Sequence, residues 1–199
     1  ACGPVWENIA ANRPPIERYV VLTVTAPMPK TTLKNAVTYE DYMGEVDGKF
    51  EWKAFDENTA AGMCYTSGTT GHPKGVLYSH RSNVLHSMIA AVPDAMAASS
   101  RDVILPVVPM FHANCWGLAL TAPMVGATLV MPGAKMDGAS IYELLDTYQV
   151  TFTAAVPTIW LMLLQDLEKT GKKLPHLDRG ILGGSPCPPA MTQTFPEFV

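Results

Sequence analysis

Residues 65–75 read YTSGTTGHPKG, with three glycines, four aliphatic hydroxyls and one lysine in eleven positions. Gly68, Gly71 and Gly75 have access to backbone angles closed to other residues. Successive amides can then turn inward as a nest for an anion. Thr66, Ser67, Thr69 and Thr70 add donors without adding charge, and Lys74, behind Pro73, adds one mobile positive charge. A polyphosphate suits this set. The plainer reading is a hairpin turn, but a hairpin loop needs only about two to five residues and gains nothing from four hydroxyls and a lysine. A Walker A loop is excluded, because His72 and Pro73 separate Gly71 from Lys74 and a glycine follows the lysine. No GxGxxG opens a helix after a strand, so a Rossmann dinucleotide site is unsupported.

His112 follows a strand-like run, at the favoured ligand edge of an open α/β sheet; the alternative is a histidine satisfied inside the core. Trp116, four residues on, falls on the same face as His112 if the segment is helical. It either lines an apolar channel or is an ordinary core tryptophan. Ala113 is small enough to let a ligand pass. Gly183, Gly184 and Ser185 form a second glycine-rich turn, which also reads as a plain strand-to-helix connection. His86 sits mid-helix and reads as structural.

These residues need a scaffold. The chain has 199 residues, 48% hydrophobic and 16% charged, so a large core is affordable and disorder is disfavoured. The net charge of −4 argues against a nucleic-acid surface. No apolar run of about 18 residues marks a membrane span. The four cysteines are far apart with no CxxC, which excludes a zinc pattern. Cys64 and Cys115 lie in apolar stretches as reduced thiols, and a cytoplasmic setting fits.

The first sixty residues carry weak signals: a strand in ERYVVLTVTA, a loop over PMPKTTLKNA, then a short acidic helix and an excursion. From residue 61 the pattern sharpens. AGMCYTS and GVLYSH read as strands, and Ser79 caps a helix that Pro93 stops. RDVILPVVP, ATLVMPG, VTFTAAVP and LDRGILGG read as further strands. Between them FHANCWGLALTAPMVG, SIYELLDTYQV and TIWLMLLQDLEKTG read as helices, the last ended by Gly171, and SPCPP after LDRGILGG as loop. Alternation of this kind implies an α/β fold with a parallel sheet and flanking helices. The connector AMAASSR suggests two α/β lobes, residues 1–98 with the phosphate loop and residues 99–199 with the second set of motifs.

YTSGTTGHPKG resembles the signature loop of the adenylate-forming, acyl-activating enzymes, [ST]-[SG]-G-[ST]-[ST]-G-x-P-K-G, at every fixed position from Thr66 to Gly75. ILPVVPMFHANCWG (104–117) resembles the fatty acyl-CoA synthetase form of the family's second motif. FTAAVPTIWLMLL (152–164) and ILGGSPCPPAM (181–191) are similar to later segments. The resemblance covers residues 61–191 and implies part of the large domain of an AMP-forming fatty acid–CoA ligase.

That resemblance implies ATP, Mg²⁺ and CoA as the small-molecule partners, with a fatty or other carboxylic acid. The loop from Thr66 through Ser67, Gly68, Thr69, Thr70 and Gly71 to Lys74 would hold phosphates, with Thr66 near the metal. Lys74 and His112 would serve the chemistry. Ala113 and Trp116 would line the acyl and nucleotide path, and Gly183, Gly184 and Ser185 the adenine. Alternatives are a ligase for aryl acids and a non-catalytic ATP-binding module. The family's YGxTE segment, ribose aspartate, hinge and mobile domain are expected past Val199. The chain is therefore expected to be inactive alone, and exposed apolar edges would favour homo-oligomers.

Overall fold

The computed structural model describes residues 3–10, 16–22, 28–66 and 71–198. These fall into two compact units, residues 1–54 and 55–199.

In the first unit a helix α1 (Gly3–Ala10) precedes two short strands, β1 (Tyr19–Val21) and β2 (Ala36–Thr38), which pair in parallel. The segment read as loop thus ends by feeding a strand, because Val37 finds a partner in Val20. Thr38 then caps the short helix α2 (Tyr39–Gly44), its hydroxyl accepting from the Asp41 amide at 3.1 Å.

The second unit opens with an antiparallel hairpin, β3 (Ala60–Thr66) and β4 (Lys74–Ser79). The Ser79 hydroxyl accepts from the Ser82 amide at 3.1 Å and starts α3 (His80–Ala90), as its sequence position predicts.

Next comes the parallel sheet. Its strands are β5 (Val103–Val107), β6 (Thr128–Leu129), β7 (Phe152–Ala155) and β8 (Arg179–Leu182), in the order β6-β5-β7-β8. Three helices lie between them: α5 (Leu118–Val125), α6 (Gly138–Thr147) and α7 (Pro157–Thr170). A single turn, α4 (Ala113–Trp116), precedes α5. A last helix, α8 (Pro189–Thr194), follows the SPC turn.

Strand alternation divides the core in two. Leu105, Val107 and Ala155 face α6 and α7, where Trp160, Leu163, Leu164 and Leu167 form one buried stripe. Ile104, Val108, Phe152 and Ala154 face the other way, against Leu118 and Ala122 of α5. Burial on both faces is what a run such as VILPV needs as a central parallel strand. Each fully buried Leu, Ile or Phe contributes about 1.5–3 kcal/mol.

At the amino ends of the strands a polar clamp joins β5, β7 and β8. The Asp102 carboxylate, 5% exposed, accepts from the Ser99 amide at 2.8 Å, from the Thr151 hydroxyl at 2.9 Å and from the Arg179 guanidinium. Burial pushes the Asp102 carboxyl up, but the Ser99, Thr151 and Arg179 hydrogen bonds and the Arg179 charge outweigh it. The result lies below the usual carboxylate value.

The structure departs from expectation most at residues 111–126. A continuous apolar helix was the expected reading. Instead Ala113, Asn114, Cys115 and Trp116 have φ of 46°, 51°, 61° and 51°, a left-handed turn, and the right-handed helix begins only after Gly117. The strand expected over ATLVMPG is also short, pairing only at Thr128 and Leu129.

Candidate functional site

The hairpin ladder ends at the pair Thr66–Lys74. Both residues are exposed, as are Gly71, His72 and Pro73. Gly71 has φ of +85°, a backbone state that favours glycine. Ser67, Gly68, Thr69 and Thr70 lie outside the described residues. The loop between the paired ends is seven residues long, more than a tight hairpin needs. Gly75 sits inside β4 opposite Tyr65, as the strand reading of GVLYSH places it, and a side chain there would meet the Met63 sulfur at 3.0 Å.

The second group of residues gathers along one edge of the parallel sheet. His112 follows β5, Val156 and Pro157 follow β7, and Gly183 to Ser185 follow β8. All three strands run in the same direction, so these segments share the carboxyl edge. From β5 the chain passes to β6 on one side, and from β6 it returns to β7 on the other. The gap between β5 and β7 is thus the point where strand order reverses, the favoured ligand crevice of an open α/β sheet.

His112 is exposed there, which removes the reading of a core histidine. It precedes the left-handed turn with φ −115° and ψ 110°. Because the turn is left-handed, the expected helical face shared by His112 and Trp116 does not exist. Trp116 is directed elsewhere: a Cβ added at Gly183 would lie 2.7 Å from its ring carbon Cη2. The indole therefore rests on Gly183, and the two motifs touch through a contact that only glycine permits.

Left-handed backbone costs roughly 1–2 kcal/mol per non-glycine residue, so a whole turn needs compensation. Four ties supply it. Cys115 is fully buried, and its thiol donates to the Val108 carbonyl at 2.9 Å. The Cys64 thiol of β3 donates to Asn114 Oδ1 at 3.4 Å. His86 Nε2 meets the Trp116 carbonyl at 3.0 Å. The Gly117 amide bonds the Ala113 and Asn114 carbonyls, both at 3.1 Å. Burial raises the Cys115 thiol pKa, so it is a packing group and not a nucleophile. The expectation of buried, reduced cysteines holds for Cys64 and Cys115. His86, read from the sequence as structural, contacts the backbone of this turn.

Ala113 opens the turn half-buried, Gly184 has φ +86° beside Val156, and Ser185 is exposed. Among the described residues no hydrogen bond or ion pair joins Lys74 to His112. Among them, too, no group of three or more His, Cys, Asp or Glu is placed to hold a metal ion. The Thr66 hydroxyl, exposed beside Lys74, suits one ligand position on a Mg²⁺ carried mainly by phosphate oxygens and water. Asn114 and its tie to β3 went unread in the sequence.

The family model of the AMP-binding enzymes matches residues 6–199. The chain belongs to the AMP-binding enzyme family. It is 52% identical over 159 residues to a 3-methylmercaptopropionyl-CoA ligase of Ruegeria lacuscaerulensis, an overlap of 80% of this chain and 30% of that protein. It is 45% identical over 195 residues to a medium-chain-fatty-acid–CoA ligase of Ectopseudomonas oleovorans, covering 98% of this chain and 36% of that protein. Among solved structures, a long-chain-fatty-acid–CoA ligase from Archaeoglobus fulgidus superimposes with a TM-score of 0.72 at 27% identity, over 84% of this chain and 35% of that one. The chain thus spans about a third of the length of the curated relatives it matches, 30% and 36% in these two.

Within this AMP-binding family frame, the parallel sheet is the α/β layer expected from the sequence. No helix among the described residues is long and apolar enough to cross a membrane.

Proposed function

We propose that this chain forms the phosphate-binding and acid-orienting part of an AMP-forming fatty acid–CoA ligase. The observation that carries the reading is the hairpin end. Thr66 and Lys74 close the ladder with seven residues between them in the chain, and both are exposed, as is Gly71.

In this reading a carboxylate oxygen attacks the α-phosphorus of ATP and the bond to the bridging oxygen breaks. Pyrophosphate leaves and an acyl-adenylate remains. The sulfur of CoA then attacks the acyl carbonyl, loses its proton, and AMP departs. The physical obstacle is an anion approaching an anion, which prearranged donors and positive charge offset. Thr66 and the loop amides hold the β- and γ-phosphates, and Lys74 balances the charge that builds on departing pyrophosphate. His112, at the carboxyl edge of β5, orients the carboxylate or the α-phosphate. Ala113 and Trp116 line the path between nucleotide and acyl chain, and Gly183, Gly184 and Ser185 face adenine. A Mg²⁺ bound at Thr66 would supply further charge neutralisation to the phosphates.

Two α/β lobes dividing near residue 98 belong to the same proposal. Free, buried Cys64 and Cys115 fit a reducing cytoplasm. Exposed Leu85 and Ile89 on α3 support self-association of the chain by itself, which a monodisperse monomer would rule out.

The test separates binding from chemistry. ATP binding is measured by calorimetry on the chain, and ATP–pyrophosphate exchange with octanoate on the complete enzyme. Binding together with acid-dependent exchange is expected. Binding with no exchange in the complete enzyme would leave a nucleotide-binding module in place of a ligase.

A further inference from the structure

We propose that His86, on α3 and outside every motif, is a positioning residue for acid selection: it fixes the backbone of Trp116 so that the indole stays seated on Gly183. The inference rests on the reading of Trp116 as part of the acyl path.

Three observations carry it. First, His86 Nε2 lies 3.0 Å from the Trp116 carbonyl. A carbonyl oxygen only accepts, so Nε2 carries the hydrogen and the tautomer is fixed by this contact. Second, the Cδ2–Nε2 edge of the ring points at the next residue. A Cβ at Gly117 would fall 2.2 Å from His86 Cδ2 and 2.4 Å from Nε2, and Gly117 itself has φ +74°. Position 117 therefore needs glycine both for its backbone angle and for the imidazole beside it. Third, Trp116 has φ +51°, a state a tryptophan rarely adopts, so its backbone returns to common angles unless it is held. The hold acts from two sides: His86 takes the carbonyl, and Gly183 receives the ring.

The position of His86 is itself determined. Ser79 caps α3, and α3 packs on α5, the helix that Gly117 begins. His86 is exposed apart from these contacts, so replacing it opens no core cavity. Its effect is thus expected in substrate use more than in stability.

The experiment uses the complete enzyme with octanoate and ATP as varied substrates. His86→Leu keeps bulk and removes the donor. It is expected to raise the octanoate KM about tenfold, the worth of one hydrogen bond, while the ATP KM stays within about twofold. His86→Gln, which restores an N–H donor, is expected to recover most of that loss. Gly117→Ala, which displaces the imidazole with His86 intact, should produce the same rise in octanoate KM. Tryptophan emission should shift in His86→Leu, and the shift should vanish in a Trp116→Phe background. An unshifted emission overturns the proposal, as does an unchanged octanoate KM in His86→Leu when Trp116→Ala raises it. If Trp116→Ala also leaves the octanoate KM unchanged, the acyl-path reading of Trp116 fails, and the two failures are distinguished.

Discussion

Strand β7 is buried at all four of its positions, whereas β4 is exposed at its first four. The two strands belong to one unit and differ in what surrounds them. In β7, Phe152 and Ala154 meet α5, and Ala155 meets α6 and α7. In β4 only the end near Ser79 is tucked toward α3. The contrast divides labour. The close-packed sheet fixes where its carboxyl edge lies, and the hairpin ends in exposed Thr66 and Lys74. Binding groups on loops held by a rigid scaffold follow from the same physics. The contrast also explains why the left-handed turn persists. It hangs between the two regions, tied to β3 through Asn114 and to the sheet through Cys115 and Trp116.

If this division is right, damage to the sheet appears as lost stability and damage to the hairpin as lost chemistry. The largest effect is expected from Trp160→Ala. Trp160 is 1% exposed and its indole N–H donates to the Ile181 carbonyl at 3.2 Å. Urea unfolding should show a loss of about 3–5 kcal/mol; a loss below 1 kcal/mol would break the comparison from the sheet side. Lys74→Ala comes next. Exchange of pyrophosphate in the complete enzyme should fall by roughly 10²–10³-fold, with the melting temperature unchanged. Full exchange activity would break the comparison from the hairpin side.

Asp102→Asn tests the amino edge of the sheet, at an expected cost of about 1–3 kcal/mol. The sign of its pH dependence follows from the lowered carboxyl pKa. Stability from this group is complete above the unfolded value near 3.8 and is lost as pH falls through the lower folded value. Acid titration of unfolding free energy should be steeper in the native protein than in the Asn variant over that range; parallel curves would refute the assignment. Smallest is Ser79→Ala, which removes the cap of α3 and should lower stability by about 1 kcal/mol. It sharpens the comparison by showing whether the junction between hairpin and helix behaves like scaffold or like loop.

Much of this was legible beforehand. Alternating strands and helices gave the parallel sheet because runs such as VILPV are apolar throughout, which only double-faced burial rewards. Ser79 was readable as a cap, since the hydroxyl needs only the amide three residues on. The composition of residues 66–74 was readable as a candidate phosphate loop. The antiparallel pairing of β3 and β4 was less so, because both strands are largely exposed and no hydrophobic pattern fixes their direction. The run from Phe111 to Gly126 misled because residues such as Cys115, Trp116 and Leu118 are apolar at any handedness. Their periodicity carries no sign of φ.

The sequence by itself determined the chemistry on offer and the order of the elements: a hydroxyl- and glycine-rich loop ending in Lys74, a capped helix, and strands that must be buried. These follow from residue types and short spacings. Tertiary structure alone decided that Ala113 to Trp116 wind left-handed, that Trp116 lies on Gly183, and that His86 reaches its carbonyl. Each of those depends on residues far apart in the chain meeting in space, where packing and hydrogen bonds outweigh the local cost of an uncommon backbone.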